Sequence, residues 1–324
     1  MSFLRFYRLK MMVPFNESDF QQMKLIEEKA IREAKKKINT GLANYDDIIE
    51  IVIRKKSVVV TKPSKNIILN EREKIAVRFI KDALAKYPKE IILKINIGMH
   101  DTYFEDNGLL IFSLASRSSL NILMPDYYAM QKYVEIVMPK DELEFCQKKH
   151  QAIFIGSTTG NFDPCQNERL GLCNYFLKSE KVKCYINNIC QIEEEKIAEA
   201  FPAYREFLHD SISISSQLQY KFIITVDGNT ASWDRLVWIL NSNSVCLKKK
   251  SDHVCWYYDF LENGKHYIEF DEFDEIEKIM DTVTPEQCES IIKNANAFVK
   301  EYLDYDKQLA YMGHLLFHCS VGKE

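Results

Sequence analysis

Apolar runs and amphipathic segments alternate along most of this chain. In the first half, helical spacing of apolar residues predicts helices near 17–38 and 71–86. Strand-like apolar runs occupy 48–54, 57–61, 90–98 and 108–115. Helices that alternate with apolar strands in this way predict an α/β fold with a parallel sheet.

The second half repeats this alternation. Its strand-like runs occupy 152–156, 183–187, 221–226 and 244–248. Its helical patterns occupy 167–177, 193–200, 232–240 and most of the chain from 273 onward. A charged stretch, 139–151, separates the two series, and a chain of 324 residues is long enough to form two cores.

We therefore predict an N-terminal domain over 1–145 and a second domain over 146–305. The remaining residues, 306–324, are expected to form a C-terminal helix that packs back on the first domain. Two α/β domains in tandem are expected to face each other across a cleft, where the carboxyl ends of the strands place ligands.

Composition narrows the class of protein. The formal net charge is -4, and no stripe of lysine and arginine indicates binding to nucleic acid. The nine cysteines form no CxxC pair, which predicts reduced thiols rather than a disulfide framework or a zinc site. The apolar N-terminus is interrupted by Arg5, Arg8 and Lys10, and no run of about 18 apolar residues occurs, which predicts a cytoplasmic protein.

The segment "YKFIITVDGNTASWDRLVWIL" (220–240) contains the first candidate site. A buried strand stops at the turn dipeptide Asp227-Gly228, and an amphipathic helix follows. Ser232 is placed to cap that helix, whose free N–H groups suit an anion, and Arg235 would add a bidentate charge. The alternative is an ordinary capped helix with Arg235 on a solvated face.

A second loop, "GSTTG" (156–160), also follows a strand and offers small residues that let a phosphate or a sugar approach closely. It has neither the Gly-Lys-Ser of a phosphate-binding loop nor a GxGxxG pattern. Arg169 lies in the helix beyond it. The alternatives are a polar turn for the loop and a surface charge for Arg169.

Three residues are candidates for a general base. His100 and Asp101 end a buried strand, and Asp126 lies in the later segment "MPDYY". Each carboxylate could instead stabilise a local turn. The chain has no GxSxG motif, so a serine hydrolase is not indicated.

Several of these pieces resemble glycosyltransferase family 90. The matching elements are the strand before Asp227-Gly228, the Ser and Arg of the next helix, the "SNSV.LK" strand (242–248) and the "HYI" of 266–268. The "F.G...TG" strand at 154–160 and the "FSLASRSSLNILMPD" element at 112–126 also match.

This resemblance implies a GT-B-type fold with two Rossmann-like domains facing each other across a cleft. It implies inverting transfer from a UDP-sugar without a metal or other cofactor. By the same resemblance Asp101 deprotonates the acceptor hydroxyl, and Arg235 neutralises the leaving diphosphate. The donor-binding residues it implies are Ser116, Gly156, Ser157, Thr158, Thr159, Gly160, Arg169, Asp227, Gly228, Asn229, Thr230, Ala231, Ser232, Trp233, Arg235 and His266.

The sequence also departs from the family's animal members. The glycine loop lacks two arginines, Trp233-Asp234 moves Arg235 one position later, and Glu269 replaces a proline. These differences favour the bacterial or viral branch. We expect transfer of a hexose or pentose to a hydroxyl of a glycan or glycolipid, such as a lipopolysaccharide core, with peripheral contact at the inner face of a membrane. The alternative is a catalytically idle nucleotide- or sugar-binding protein on the same scaffold.

Overall fold

A computed structural model describes residues 48–64, 69–99, 111–115 and 122–321. The predicted helix at 17–38 and three candidate site residues, His100, Asp101 and Ser116, lie outside these ranges. The chain divides into two compact units. The N-terminal unit comprises 1–132, 253–260 and 302–324, and the C-terminal unit comprises 133–252 and 261–301.

The N-terminal unit is built on a five-stranded sheet with the order β2-β1-β3-β4-β5. Its strands are β1 (Ile48–Arg54), β2 (Ser57–Lys62), β3 (Ile92–Gly98), β4 (Ile111–Ser113) and β5 (Ile122–Leu123). Strand β1 is antiparallel to both β2 and β3, whereas β3, β4 and β5 are parallel. The prediction of a purely parallel sheet is therefore wrong here. Only two residues join β1 to β2, with Lys55 at a φ of 59°, and so short a connection can join only antiparallel strands.

Two helices of the N-terminal unit pack together, α1 (Asn70–Lys86) and the C-terminal helix, here α9 (Tyr305–Val321). The Tyr87 ring, just after α1, meets His314 at 5.1 Å. A side chain at Gly313 would lie 2.8 Å from that ring, so glycine allows the close approach. The hydroxyl of Tyr311 donates to the carbonyl of Leu123, 2.8 Å away, which ties α9 to the sheet.

The C-terminal unit is a fully parallel sheet with the order β10-β9-β8-β6-β7. Its strands are β6 (Lys149–Ser157), β7 (Val182–Asn188), β8 (Tyr220–Thr225), β9 (Val245–Lys249) and β10 (Ile268–Phe270). Its helices are α2 (Tyr133–Val137), α3 (Glu168–Tyr175), α4 (Glu194–Ala200), α5 (Ile214–Gln217), α6 (Asp234–Leu240), α7 (Glu275–Thr282) and α8 (Pro285–Phe298).

The strand order of this second sheet defines where a ligand should bind. From β6 the chain first adds β7 on one side and then returns to add β8, β9 and β10 on the other. The winding direction therefore reverses between β6 and β8. In doubly wound sheets ligands bind beyond the carboxyl ends of the strands at this reversal.

The predicted α/β class is confirmed, since each unit carries its own five-stranded sheet and the C-terminal sheet has the doubly wound topology of a Rossmann-like domain. The domain limits 1–145, 146–305 and 306–324 stay predictions. All nine cysteines are free thiols, and five of them are buried. None of the helices in the described part of the chain has the length and apolar character needed to cross a membrane.

A buried ion pair organises the amino ends of the central strands in the C-terminal unit. Lys148 and Asp141, whose side chains are 0% and 5% exposed, are joined at 2.6 Å. The Lys148 ammonium also donates to the Leu218 carbonyl and the Ser244 hydroxyl, so all three of its donors are used. Burial lowers the pKa of Lys148, while Asp141 opposes that shift. The charged segment 139–151 is thus part of the folded unit.

We expect Lys148→Met to destabilise the C-terminal unit by about 3–5 kcal/mol, because it leaves the Asp141 carboxylate buried without its counter-charge. Urea unfolding followed by tryptophan fluorescence measures this change. The matched control is Lys181→Met, which breaks an exposed pair with Asp281 and should leave the free energy of unfolding nearly unchanged. Equal losses in the two variants would contradict the assignment.

Candidate active site

Two loops meet at the carboxyl ends of β6 and β8. We call residues 157–160 the β6 loop and residues 226–232 the β8 loop. Because β6 and β8 are neighbours, the sheet places these loops side by side. The amide of Gly160 donates to Asn229 Oδ1 at 3.0 Å, which joins the loops directly. The two segments selected from sequence are thus adjacent in space.

The far side of the β6 loop is anchored to the end of β7. The Thr158 hydroxyl donates to the Cys190 carbonyl at 2.6 Å and accepts from the Cys190 amide at 2.8 Å. Thr158 is fully buried. Its hydroxyl is therefore committed to holding the loop. Gly160 has a φ of 131°, a conformation that glycine adopts without strain.

Asn167 holds the β6 loop from below, a role that the sequence predictions missed. Its side-chain oxygen accepts from the amides of Arg169 and Leu170 and so caps α3. Its side-chain NH₂ donates to the carbonyls of Thr158 and Asn161. An Asn directly before the helical pattern of "ERLGLCNY" indicated the cap, but its contact with the loop depends on tertiary structure.

Arg169 reaches under both loops and is not a surface charge. Its guanidinium donates to the Ser157 carbonyl at 3.3 Å and to the Thr159 hydroxyl at 2.6 Å. It also donates to the carbonyls of Val226 and Asp227 at 3.0 and 3.1 Å. Burial lowers the pKa of this group, and the Asp227 carboxylate opposes the shift. Arg169 therefore fixes the spacing between the two loops.

Gly228 is the residue that lets the loops approach Arg169 so closely. A Cβ atom at this position would lie 2.7 Å from the Thr159 hydroxyl oxygen and 3.0 Å from Arg169 Nη2. Real Cβ atoms do not come so near to such groups. The glycine of the Asp-Gly turn is therefore required by this packing.

The β8 loop closes on itself. The Asp227 carboxylate accepts from the Ser232 amide at 2.8 Å, and the Ser232 hydroxyl donates to the Val226 carbonyl at 3.2 Å. The prediction that Ser232 caps the next helix is wrong. Its hydroxyl is used inside the loop, and α6 begins at Asp234 after Trp233, which provides no side-chain cap.

Arg235 points into the sheet rather than to solvent. Its guanidinium donates to the Ile155 carbonyl at 2.9 Å, to the Ile224 carbonyl at 3.3 Å and to Gln217 Oε1 at 3.2 Å. It also lies over the rings of Phe154 and Trp238, at 5.3 and 5.5 Å. With Trp233 and Asp234 between it and Ser232, Arg235 lies on the inner face of α6.

The pKa of Arg235 is lowered to about 10. Burial is the main cause, and the positive charge of the neighbouring Arg169 is the second. The side chain remains a cation at neutral pH. Among the described residues, it contacts strand carbonyls, ring faces and Gln217. Direct contact between Arg235 and a diphosphate stays a prediction.

Two other candidate residues have local roles. Asp126 is buried, and its carboxylate accepts from the amides of Tyr128 and Ala129, as in a residue that stabilises a turn. His266 Nδ1 accepts from the Glu262 amide, and burial lowers its pKa. No hydrogen bond or ring contact joins His266 to either loop in the described part of the chain.

The β8 loop retains unused hydrogen-bond donors. The backbone N–H groups of Asn229, Thr230 and Ala231 make no hydrogen bond to any residue that the structure describes. The Thr230 hydroxyl is buried and has no partner within the same residues. Consecutive N–H groups of this kind can converge on an anion. No cluster of three or more His, Cys, Asp or Glu that could hold a metal occurs in the described ranges.

Solved structures with detectable likeness share little sequence with this chain. TarM is 11% identical, with a TM-score of 0.40 over 56% of this chain and 37% of its own. The C-terminal domain of the group 1 glycosyl transferase LpcC from Francisella tularensis is 10% identical, with a TM-score of 0.33 over 52% of this chain and 95% of its own. The GtfA/B complex is 16% identical, with a TM-score of 0.36 over 54% of this chain and 37% of its own.

Curated relatives match over shorter stretches. The O-glucosyltransferase LpsA of Dichelobacter nodosus is 30% identical over 173 residues, which cover 52% of this chain and 49% of the relative. The uncharacterized protein 035R of Invertebrate iridescent virus 3 is 33% identical over 114 residues, or 33% of this chain and 10% of that protein. The match thus spans about half the length of LpsA and a tenth of 035R.

A family model gives the most extensive match. The model of glycosyl transferase family 90 matches residues 111–320, which is more than half of the chain and includes both loops, Arg169 and Arg235. The motifs at 112–126, 154–160, 242–248 and 266–268 therefore lie inside the matched region, whereas Asp101 lies outside it. This chain belongs to glycosyltransferase family 90.

Proposed function

We propose that this glycosyltransferase moves a hexose or pentose from a UDP-sugar to a hydroxyl of a glycan acceptor, with inversion and without a metal ion. The observation that carries the proposal is the pair of joined loops at the reversal point of the parallel sheet. There the β8 loop offers three consecutive N–H groups that make no hydrogen bond within the described residues. A diphosphate is the part of a UDP-sugar that such donors would bind.

Two arginines would stabilise an anion at this position through their positive charge, while the loop amides form the hydrogen bonds. Arg169 and Arg235 lie beneath the loops, where burial keeps their positive charge away from bulk water. A charge in such surroundings is screened less than a surface charge. We propose that the loop amides supply the hydrogen bonds and the two guanidinium groups supply the positive potential that stabilises the leaving diphosphate.

The acceptor side of the reaction rests on the family resemblance. We propose Asp101 as the base that deprotonates the acceptor hydroxyl, and inversion follows from one direct displacement at the sugar carbon. The relative LpsA is called an O-glucosyltransferase, which makes UDP-glucose the first donor to test. A glycolipid acceptor would bring the enzyme to a membrane surface.

A binding protein without catalytic activity is the second candidate. The β6 loop lacks two arginines that the family's animal members have. This difference favours the inactive binding protein, because fewer cations would stabilise the leaving group. The catalytic and idle proposals differ in turnover and not in UDP binding.

The first test is a screen for UDP release with UDP-glucose, UDP-galactose and UDP-xylose. We expect turnover with at least one donor, and a loss of roughly 10²–10⁴-fold in Asp101→Asn, because the general base is removed. UDP affinity, measured by calorimetry, should stay unchanged in this variant. UDP binding without any turnover would support the idle protein, and no UDP binding would reject both proposals.

The second test concerns the loop itself. Gly228→Ala should weaken UDP binding by about tenfold or more, because the added Cβ displaces the β8 loop from Thr159 and Arg169. Gly171→Ala is the matched control. It adds the same methyl group within α3, 3.4 Å from Phe273, and should leave UDP affinity unchanged. Equal affinity in the two variants would contradict the placement of the diphosphate.

A further inference from the structure

Phe162 presents an apolar ring to solvent close to the β6 loop. The residue is 69% exposed. No ring contact joins it to another described residue, and it precedes the short helical turn Pro164–Gln166. Exposure of so large an apolar group is unfavourable in water, so a ligand that covers the ring would gain affinity.

The backbone on both sides of Phe162 is held in place. The Asp163 amide donates to Asn161 Oδ1 at 2.9 Å, and the Cys165 amide donates to Asp163 Oδ1 at 3.0 Å. The Asn167 side chain donates to the Asn161 carbonyl at 3.0 Å. Because these bonds fix the turn, the ring is presented in a defined position at little further entropic cost on binding.

The position of the ring relates it to the donor site. Phe162 follows Gly160 by two residues, so their Cα atoms are at most about 7 Å apart. Gly160 is the residue whose amide joins the β6 loop to Asn229. The backbone of Phe162 therefore lies next to the β6 loop, one of the two loops proposed to hold the diphosphate.

Two exposed polar residues follow Phe162 closely in the chain. Asp163 and Gln166 are exposed. Asp163 Oδ2 and Gln166 Nε2 make no hydrogen bond to any residue in the described ranges. A pyranose ring has an apolar C–H face and a rim of hydroxyl groups, which match an aromatic face with a carboxylate and an amide beside it.

We propose that Phe162 is a stacking platform for a pyranose ring, with Asp163 and Gln166 as hydrogen-bonding partners of its hydroxyl groups. The location of this platform relative to the donor rests on the proposed function. The ring that it binds belongs either to the sugar of the donor or to the acceptor glycan.

The test uses Phe162→Ala, Phe162→Trp and the control Tyr175→Ala. Tyr175 is also an exposed aromatic residue of this unit, but it lies in α3 against Phe176 and Phe273. Calorimetry measures the affinities for UDP and UDP-glucose. Saturation-transfer NMR with methyl glucoside, methyl galactoside and maltotriose measures the contact with free sugars.

We expect Phe162→Ala to weaken sugar binding about threefold to tenfold, while Phe162→Trp and Tyr175→Ala retain it. UDP affinity should stay the same in all three variants. A loss confined to UDP-glucose identifies the donor sugar, and a loss of the saturation-transfer signals identifies the acceptor.

Three outcomes would overturn the platform. They are unchanged sugar binding in Phe162→Ala, an equal loss of UDP binding in that variant, and no sugar contact in the wild-type protein. A separate result would show that the proposed UDP-sugar donor is wrong: the wild-type protein would not bind UDP.

Discussion

The guanidinium of Arg169 is the contact on which the rest of the candidate site depends. From the first turn of α3 it reaches the carbonyls at the ends of two neighbouring strands, Ser157 at the end of β6 and Val226 and Asp227 beyond β8. The pairing between β6 and β8 ends before these residues, so their carbonyls need other donors on this side. Arg169 supplies them, and so it sets the distance between the two loops.

That arrangement places constraints on the neighbouring residues. Gly228 must lack a side chain because Arg169 and Thr159 fill the space where a Cβ would lie. Asn167 must hold the carbonyls of the β6 loop, since the loop has little secondary structure of its own. The β8 loop satisfies Ser232 internally, and the amides of 229–231 donate to no residue that the structure describes.

Two buried cations so close together carry an energetic cost. Desolvation lowers the pKa of both Arg169 and Arg235, and the charge of Arg169 lowers that of Arg235 further. The carboxylates of Asp227 and Asp234 offset part of this cost. A protein that retains such a cluster at the reversal point of its sheet has a positive potential where an anionic donor would bind. Under the proposed function, stability and donor binding depend on the same groups.

The local pattern predicted the elements of the C-terminal unit well. The apolar run at 221–226 formed β8, and the spacing of Leu236, Val237 and Leu240 gave the buried face of α6. These predictions succeeded because a buried parallel strand and an amphipathic helix each leave a periodic signal in the sequence. In the N-terminal unit the run at 48–61 was assigned correctly to two strands, but their antiparallel pairing was missed.

The sequence by itself determined the α/β class, the two candidate loops and, through its motifs, the resemblance to family 90. Only the tertiary structure decided where the side chains of those loops point. Ser232 closes the β8 loop instead of capping the helix, Arg169 links β6 and β8 instead of being the surface charge that was the alternative, and Asn167 is part of the site. The reason is physical. The periodicity of apolar residues indicates which face of an element is buried. A hydrogen bond between residues far apart in the chain depends instead on which strands are neighbours in the sheet.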